Sequence, residues 1–171
     1  MKKKIVITGG LGYIGTELCK IYSGESWNTE IIVIDKNFFS DRVNQLTNWR
    51  IKFIQGDILD KKFIHNHLKD ADIIHHLAGI TDVAYVKKDE NKERDDLIKA
   101  TAIEGTQNVL DAMKKNAKII FPSTHVIFEG LAKTKYNILE NEKPKTFLAY
   151  SSSKVVNEEQ LKSSGKNYVI L

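Results

Sequence analysis

The residues whose types and spacing best suit chemistry lie between Ala149 and Leu161, where the chain reads AYSSSKVVNEEQL. Tyr150 and Lys154 are four residues apart at the start of a helical pattern, so their side chains project from one face of the helix. A tyrosine phenol has a pKa of about 10, and it acts as a base near neutral pH only if that pKa falls by about 2 to 3, so that the phenolate is populated. A lysine ammonium a few ångströms away in a partly desolvated site favours the phenolate. The spacing therefore predicts an acid/base Tyr150 assisted by Lys154.

Two hydroxyl side chains, Ser123 and Thr124, come directly after a predicted strand that Pro122 ends. If this strand end meets the helix of Tyr150, Thr124 would hold a substrate oxygen against the phenol during proton transfer. The same residues have an ordinary explanation, because a serine and a threonine after a proline also make turns. Which explanation is right depends on whether the rest of the chain can hold a cofactor.

The chain opens with a candidate phosphate loop, TGGLGYIG, from Thr8 to Gly15. The loop directly follows an apolar strand and opens a helix, and this context gives the glycine spacing its meaning. Gly9 permits a tight turn, Gly12 lets the backbone approach a pyrophosphate, and Gly15 lets the helix pack close to the sheet. The helix N-terminus then faces an anion.

Two aspartates at strand ends are candidates for the adenosine half of a dinucleotide. Asp35 lies twenty residues beyond Gly15, where a carboxylate accepts hydrogen bonds from both ribose hydroxyls and repels a 2′-phosphate. This favours NAD over NADP, although the neighbouring Lys36 weakens the preference. Asp57 ends the third strand and is either a contact of the adenine amino group or a solvated carboxylate.

A dinucleotide over this loop would bring its nicotinamide to the ends of the fourth and fifth strands. Lys154 would bond the nicotinamide ribose, and the positive nicotinamide ring would help Lys154 to lower the pKa of Tyr150. Proton transfer to Tyr150 would then be concerted with hydride transfer to NAD. We therefore predict Thr124, Tyr150 and Lys154 as catalytic residues. The predicted cofactor-binding residues are Gly9, Gly12, Tyr13, Ile14, Gly15, Asp35, Lys36, Asp57, Ile58, Leu77, Ala78, Gly79, Ser123, Tyr150 and Lys154.

Strands that are apolar throughout and alternate with helices predict a doubly wound α/β fold, a Rossmann parallel sheet with helices on both faces. The apolar runs place strands at 4–8, 31–34, 51–54, 73–77, 118–121 and 168–171. Helical spacing places helices at 11–22, 60–68, 93–115 and 150–161. Polar loops are predicted for 36–50 and 122–146.

Composition narrows the class of protein. A chain of 171 residues that is 42% hydrophobic and 28% charged is typical of one globular domain. The net charge of +4 is scattered, which argues against nucleic acid as a partner. The single cysteine, Cys19, suits a buried thiol in a reducing compartment. The chain has no apolar run near the roughly 20 residues of a membrane span, so we expect a cytoplasmic protein that does not enter a membrane.

Several further features have ordinary explanations. Four histidines (His65, His67, His75 and His76) suggest a metal, but they lack a convincing third ligand, so no metal site is predicted. The mixed charges of residues 87–96 indicate a solvated loop and a helix start. The apolar positions of the long helix (Leu97, Ile98, Ile103, Val109 and Leu110) fit a core face better than a dimer contact.

Taken together, TGGLGYIG, Asp35, GDILD, HLAG, STHVIFEG and YSSSK resemble the extended short-chain dehydrogenase/reductase family. This family comprises NAD-dependent sugar-nucleotide epimerases, dehydratases and reductases. The resemblance covers the whole chain and implies a nucleotide-sugar substrate, a possible homodimer, and the cofactor and catalytic residues given above. It also implies a smaller C-terminal substrate-binding region that these residues do not contain, so we expect the chain to be the front part of a longer protein.

Two positions depart from the family pattern. Members usually carry asparagine three residues before the glycine of the long helix, where this chain has Ala102 before Gly105. The run from Phe128 to Gly130 is closer to that of dTDP-4-dehydrorhamnose reductases, which often favour NADPH, than to the tyrosine-glycine of many epimerases. The alternatives to an epimerase or dehydratase are therefore such a reductase, a reductase of steroid-like or flavonoid-like carbonyls, or a dinucleotide-binding module without catalysis.

Overall fold

The computed structural model describes residues 2–24, 28–81 and 91–171. Within them the chain forms a six-stranded, all-parallel sheet in the order β3-β2-β1-β4-β5-β6. The strands are β1 (Lys3–Thr8), β2 (Thr29–Asp35), β3 (Lys52–Gln55), β4 (Ile73–His76), β5 (Lys118–Phe121) and β6 (Asn167–Ile170). The helices are α1 (Tyr13–Ser23), α2 (Ser40–Asn48), α3 (Lys61–Leu68), α4 (Lys92–Ala112) and α5 (Ala149–Ser163), with a short 3-10 helix at His125–Phe128.

Two apolar clusters lie on opposite faces of the sheet. Successive residues of β1 belong to different clusters, because side chains alternate between the faces of a strand: Val6 packs with α3, α4 and α5, and Ile5 and Ile7 pack with α1 and α2. Cys19 is buried in the second cluster, as its apolar spacing predicts. The predicted doubly wound α/β fold is therefore confirmed.

One predicted loop is wrong. Residues 36–50 contain helix α2, whose polar composition concealed its short apolar face. Leu46 is only 1% exposed, and Val43 and Trp49 pack against the same cluster. Burial of this face against the sheet stabilises a helix that the isolated sequence does not favour. The predicted loop at 122–146 is confirmed except for the 3-10 helix inside it.

The helix starts follow local capping rules. Asp60 caps α3 by accepting a hydrogen bond from the Phe63 amide at 2.9 Å, as predicted. Asn91 caps α4 by accepting from the Arg94 amide at 3.0 Å, so the helix start predicted in the mixed-charge run is confirmed. Residues 87–90 of that run, which were predicted as a loop, lie outside the described residues.

The apolar positions of α4 mostly face the core. Ile98, Val109 and Leu110 are at most 3% exposed, which confirms their predicted use in packing. Leu97 is 49% exposed and lies at the wall of a cavity above the sheet. No helix in the described part of the chain is long and apolar enough to span a membrane.

Candidate functional site

A cavity of about 570 Å³ lies where the strand order reverses, above the carboxyl ends of β1 and β4. Loops after β1, β2, β3, β4 and β5 form its walls together with α5. All of the predicted cofactor-binding residues line it: Gly9, Gly12, Tyr13, Ile14, Gly15, Asp35, Lys36, Asp57, Ile58, Leu77, Ala78, Gly79, Ser123, Tyr150 and Lys154. The fold therefore brings residues from both halves of the sequence to one crevice.

The glycine loop forms one end of this cavity, and two of its glycines cannot carry a side chain. Gly9 has a φ of +71°, and a Cβ there would lie 2.6 Å from the Ala78 amide nitrogen. A Cβ on Gly15 would lie 2.6 Å from the Gly10 Cα. The first glycine therefore makes the turn against the loop after β4, and the last lets α1 approach the strand end.

The N-terminus of α1 faces the cavity. Its N-cap is Gly12, whose lack of a side chain leaves the first amides without a side-chain cap, and its first turn carries no acidic residue. Tyr13 is 82% exposed at this edge, and Ile14 is 63% exposed. Helix N-termini carry free amide donors and a partial positive charge, so this end of α1 suits an anion.

Asp35 is held at the end of β2 by two backbone amides. Its Oδ2 accepts a hydrogen bond from the Leu11 amide at 3.0 Å, and its Oδ1 accepts from the Asn37 amide at 3.0 Å. Each carboxylate oxygen has a further acceptor site. Asp35 thus ties the glycine loop to β2 and still presents acceptors to the cavity.

Asp57 is neither simply solvated nor free. Its Oδ2 pairs with Lys36 Nζ at 2.8 Å, and its Oδ1 accepts from the Leu59 amide at 3.0 Å. Burial raises the pKa of Asp57, but the Leu59 amide and the Lys36 ammonium outweigh burial and hold the pKa below its usual range. Lys36 therefore bridges the ends of β2 and β3.

Sequence reasoning missed Arg42, which also lines the cavity. Its guanidinium donates to the Leu11 carbonyl and lies 5.4 Å from the ring centroid of Phe39. Arg42 lies on α2, which was predicted as a loop, so no pattern placed it at the site. The available signal was that Phe39 and Arg42 are three residues apart, which is a helical spacing, and follow Asp35 closely in the sequence.

Helix α5 forms the other end of the cavity and holds Lys154 in a low-polarity setting. Lys154 Nζ donates to the Pro122 carbonyl at 2.7 Å and lies 4.2 Å from the ring centroid of Phe121. Burial lowers the pKa of Lys154 to about 8, and the charge of Glu158 acts in the opposite direction. One of the three ammonium protons is thus committed to Pro122, and two remain for other partners.

Tyr150 is half-buried at the same end. Burial raises its pKa, and a hydrogen bond with the Thr124 hydroxyl acts the other way. Lys154 Nζ is 5.9 Å from the Tyr150 ring centroid and is bonded to the Pro122 carbonyl instead. In the chain by itself, desolvation of the phenolate is the largest influence on this pKa. That Lys154 and the positive nicotinamide ring of a bound coenzyme together acidify Tyr150 stays a prediction.

The two hydroxyls after β5 have different neighbours. Thr124 accepts a hydrogen bond from the Val126 amide at 3.2 Å, and it lines a second cavity of about 900 Å³, which Tyr150 does not line. Ser123 lines both cavities, and its Oγ donates to Glu158 Oε1 at 2.5 Å. Thr124 is therefore placed beside Tyr150, as predicted, but not on the wall of the first cavity.

Glu129, a second residue that sequence reasoning missed, anchors the start of α5. Its Oε1 accepts from the Phe147 amide at 3.0 Å and the Leu148 amide at 2.8 Å, and also from the Ser151 hydroxyl. Its Oε2 is buried without a hydrogen-bond partner among the described residues. Glu129, which lies in the loop after β5, thus caps the N-terminus of α5 and holds the first turn of the helix, which carries Tyr150.

The position that departs from the family pattern is used structurally. The Ala102 carbonyl accepts a hydrogen bond from Asn157 Nδ2 at 3.0 Å, and Asn157 is only 1% exposed. This bond joins α4 to α5. A Cβ on Gly105 would lie 2.4 Å from Ile58 Cδ1, so α4 approaches the loop after β3 closely at that residue.

The two histidines of β4 are bonded to protein groups. His76 is 1% exposed, and its Nδ1 lies 2.8 Å from Thr8 Oγ1 and its Nε2 lies 3.0 Å from Thr106 Oγ1. Burial, aided by the Lys154 charge, lowers the pKa of His76 to about 3, so its ring is neutral. His75 Nε2 lies 2.8 Å from the Tyr22 hydroxyl. Residues 2–24, 28–81 and 91–171 contain no cluster of three potential metal ligands.

Comparison with known proteins gives one family and many relatives. The model of the 3-beta hydroxysteroid dehydrogenase/isomerase family matches residues 6–169. A dTDP-D-glucose 4,6-dehydratase of Dictyostelium discoideum is 30% identical over 183 residues, which cover 97% of this chain and 41% of the relative. A UDP-N-acetyl-alpha-D-glucosaminuronate decarboxylase of Bacillus cytotoxicus is 32% identical over 133 residues, which cover 75% of this chain and 38% of the relative.

A solved structure shares the fold. The UDP-glucuronic acid 4-epimerase of Bacillus cereus, in complex with UDP-glucuronic acid and NAD, superimposes with a TM-score of 0.79 at 24% identity. The match covers 98% of this chain and 55% of the epimerase. The chain therefore spans less than half the length of these curated relatives and about half that of the solved structure.

Proposed function

Because the chain belongs to the 3-beta hydroxysteroid dehydrogenase/isomerase family, a family of extended short-chain dehydrogenases/reductases, we propose that it binds NAD in the crevice above β1 and β4. We further propose that it forms the cofactor half of an enzyme that moves a hydride to and from a nucleotide sugar. The observation that carries the proposal is that the glycine loop, Asp35, Tyr150 and Lys154 line one cavity.

The glycine-loop end fits the diphosphate of a dinucleotide. The N-terminus of α1 offers amide donors without a side-chain cap, and its N-cap Gly12 leaves room for a phosphate oxygen. Asp35 would accept from the adenosine ribose, and its charge would disfavour a 2′-phosphate. Lys36 is paired with Asp57, which supports NAD over NADP because the ammonium is already neutralised.

The α5 end fits the nicotinamide half. The two free donors of Lys154 would bind the nicotinamide ribose, and Ser123 would contact the carboxamide or ribose from the end of β5. When bound, NAD accepts the hydride, and the positive charge of its oxidised ring favours loss of a proton from a nearby phenol. Tyr150 would exchange a proton with the reacting hydroxyl of the sugar, and Thr124 would hold that oxygen from the side of the second cavity.

The raised pKa of Tyr150 determines which protonation state the phenol takes before the coenzyme binds. With its pKa raised by burial, the phenol is protonated at neutral pH in the absence of other charges. Tyr150 is thus ready to donate a proton during reduction of a carbonyl, and it needs an added positive charge to act as a base during oxidation. The role proposed for Lys154 is to hold the coenzyme and supply positive charge in the site, not to lower the pKa of the phenol by itself.

Two observations bear on the substrate. Relatives are named for dTDP-glucose dehydration, UDP-glucosaminuronate decarboxylation and CDP-paratose epimerisation, which supports a nucleotide sugar. The description of the matching family supports a 3β-hydroxysteroid as a second candidate. Both substrates present a secondary alcohol to be oxidised, so they place the same demands on Tyr150. A homodimer and a cytoplasmic location stay predictions.

The test combines binding with turnover. Calorimetric titration should show that the chain binds NAD more tightly than NADP. In the enzyme of which this chain forms the cofactor half, Tyr150→Phe should leave NAD affinity nearly unchanged and slow conversion of UDP-glucose, dTDP-glucose or a 3β-hydroxysteroid by about a thousandfold, the middle of the range for loss of an acid/base. Product chromatography identifies which substrate is used.

The matched control is Tyr136→Phe, which removes the same hydroxyl from a tyrosine that is 82% exposed and lines neither cavity. It should change neither affinity nor rate. Absence of NAD binding would overturn the coenzyme assignment, and full activity of Tyr150→Phe would overturn the assignment of the acid/base.

A further inference from the structure

Glu158 joins the two elements that form the α5 end of the cavity. It lies one helical turn after Lys154, and its side chain is 16% exposed. Its Oε1 accepts the hydrogen bond from Ser123 Oγ at 2.5 Å, and its Oε2 lies 3.3 Å from Lys162 Nζ. The carboxylate therefore links the end of β5 to the helix that carries Tyr150 and Lys154.

The bond to Glu158 determines how Ser123 can meet a ligand. An ionised carboxylate only accepts hydrogen bonds, and a serine hydroxyl has one proton to donate. Ser123 must therefore give that proton to Glu158, and only its lone pairs remain for the cavity. A ligand group that contacts Ser123 Oγ has to be a donor, such as a hydroxyl or an amide NH₂.

Glu158 also supplies negative charge near Lys154. Lys154 Nζ contacts the Pro122 carbonyl and the Phe121 ring from β5 and the loop after it. The titratable groups around it are His76 on β4, which is neutral, and Tyr150 and Glu158 on α5. In the described part of the chain, Glu158 is thus the acid that offsets the cost of burying this ammonium.

We propose that Glu158 is a positioning residue of the coenzyme site, which orients the Ser123 hydroxyl as an acceptor and keeps Lys154 charged. The proposal rests on the proposed function, because Ser123 and Lys154 are there assigned to the nicotinamide half of NAD. Its consequence is that coenzyme affinity is maintained toward pH 8, where an uncompensated buried lysine would lose its proton.

The first experiment needs no coenzyme. Trace acetylation with acetic anhydride between pH 6 and pH 10, followed by peptide mass spectrometry, reports the deprotonated fraction of Lys154, which lines an open cavity. The pKa of Lys154 is about 8, and Glu158 raises it, so Glu158→Gln should move the labelling midpoint to lower pH by about one pH unit.

The matched control is Glu159→Gln. Glu159 also pairs with Lys162, at 3.2 Å, but its side chain is 70% exposed and it makes no contact with Ser123 among the hydrogen bonds of the described residues. The two variants remove the same charge from adjacent positions. Glu159→Gln should move the midpoint by no more than about a third as much. Equal shifts in the two variants would overturn the charge-balancing role.

The second experiment measures NAD affinity by calorimetry over the same pH range. At pH 8 Glu158→Gln should weaken binding about fivefold, since fewer molecules carry charged Lys154, and Glu159→Gln should weaken it less than about twofold. At pH 6 Lys154 is charged in every variant. The remaining loss of NAD affinity in Glu158→Gln should there equal the loss of NAD affinity in Ser123→Ala. A pH-independent loss in Glu158→Gln would show a merely structural role and would overturn the proposal.

The two experiments separate the two proposals. A shifted labelling midpoint without NAD binding would retain the effect of Glu158 on Lys154 and reject the coenzyme site. NAD binding with unshifted labelling would retain the coenzyme site and reject Glu158 as a positioning residue. Glu158→Asp, which keeps the charge but shortens the side chain, should restore the labelling midpoint and not the Ser123 contact.

Discussion

The two ends of the cavity are built differently: the backbone lines one end, and side chains line the other. At the glycine-loop end the backbone forms the surface, and its side chains are absent, as in Gly9, or exposed at the rim, as in Tyr13. At the α5 end side chains form the surface, and burial shifts the pKa of both Tyr150 and Lys154. The backbone end is therefore sensitive to added atoms, and the side-chain end to removed atoms.

Gly9→Ala should have the largest effect on stability. The substitution forces an alanine into positive φ and places its Cβ 2.6 Å from the Ala78 amide nitrogen, in backbone that cannot move aside cheaply. We expect the free energy of unfolding in urea to fall by at least about 3 kcal/mol, of which left-handed backbone accounts for about 1 to 2 kcal/mol.

Gly165→Ala separates the two causes. Gly165 has a φ of +66° and nothing within 4 Å of a new Cβ. Gly165→Ala should therefore lower the free energy of unfolding by only about 1 kcal/mol, from backbone strain alone. If Gly9→Ala lowers the free energy of unfolding no more than Gly165→Ala does, the close approach of the loops after β1 and β4 is not the reason for a glycine at position 9. The proposed difference between the two ends of the cavity would then be wrong.

Glu129→Ala should have the next largest effect, because it removes the anchor of the side-chain end. Two amides at the start of α5 would lose their acceptor, and the Ser151 hydroxyl would keep only the Leu148 carbonyl, at 3.1 Å. Loss of such a cap costs about 2 kcal/mol of unfolding free energy, and the unpartnered Oε2 offsets part of that cost. Amide hydrogen exchange should rise first at the N-terminus of α5.

Glu140→Ala is the control for this change, since Glu140 is exposed in the same loop. It should leave both stability and exchange within about 0.5 kcal/mol of the original chain. Equal destabilisation by the two variants would mean that loss of charge in the loop, and not the cap on α5, is responsible.

Lys36→Met should have the smallest effect, although it too removes a charged partner at the site. The Lys36 side chain is 67% exposed, so its pair with Asp57 contributes under about 1 kcal/mol. The pKa of Asp57 is lowered in the folded state, so this contribution exists above the unfolded pKa of about 4 and is lost as pH falls through the folded pKa.

Urea unfolding at pH 7 and pH 3 checks this sign. The difference between Lys36→Met and the original chain should be present at pH 7 and be smaller at pH 3, which lies below the unfolded pKa of about 4 and closer to the lowered folded pKa of Asp57. A large loss at pH 7 would show that the backbone end depends on side chains as strongly as the α5 end does.

Local patterns predict the backbone end well. The glycine spacing, the strand before it and Asp35 are all read within one βαβ unit, where sequence separation is short and geometry is regular. The pair of Tyr150 and Lys154 is predictable for the same reason, because both lie on one helical turn. The six strands and four of the helices follow from apolar spacing.

Contacts between distant segments could not be predicted in this way. Glu129 meets Leu148, the N-cap of α5, nineteen residues later, and Ser123 meets Glu158 thirty-five residues later, so neither pair has a periodic signal. The helix α2 and Arg42 were missed because Leu46 is buried only by the tertiary fold. The direction in which the chain by itself shifts the pKa of Tyr150 could not be predicted either, because it depends on how deeply the phenol is buried, which a sequence does not report.

The contact between Gly9 and Ala78 has a consequence for motion. The loop after β1 is also bonded to its neighbours, since the Gly9 amide donates to the Ile34 carbonyl at 2.8 Å and the Leu77 amide donates to the Thr8 carbonyl at 3.0 Å. These bonds and the close approach to Ala78 join the glycine loop to the ends of both neighbouring strands, β2 and β4. We therefore expect amide hydrogen exchange at Gly9 and Leu77 to be slow and to change little when a ligand enters the crevice.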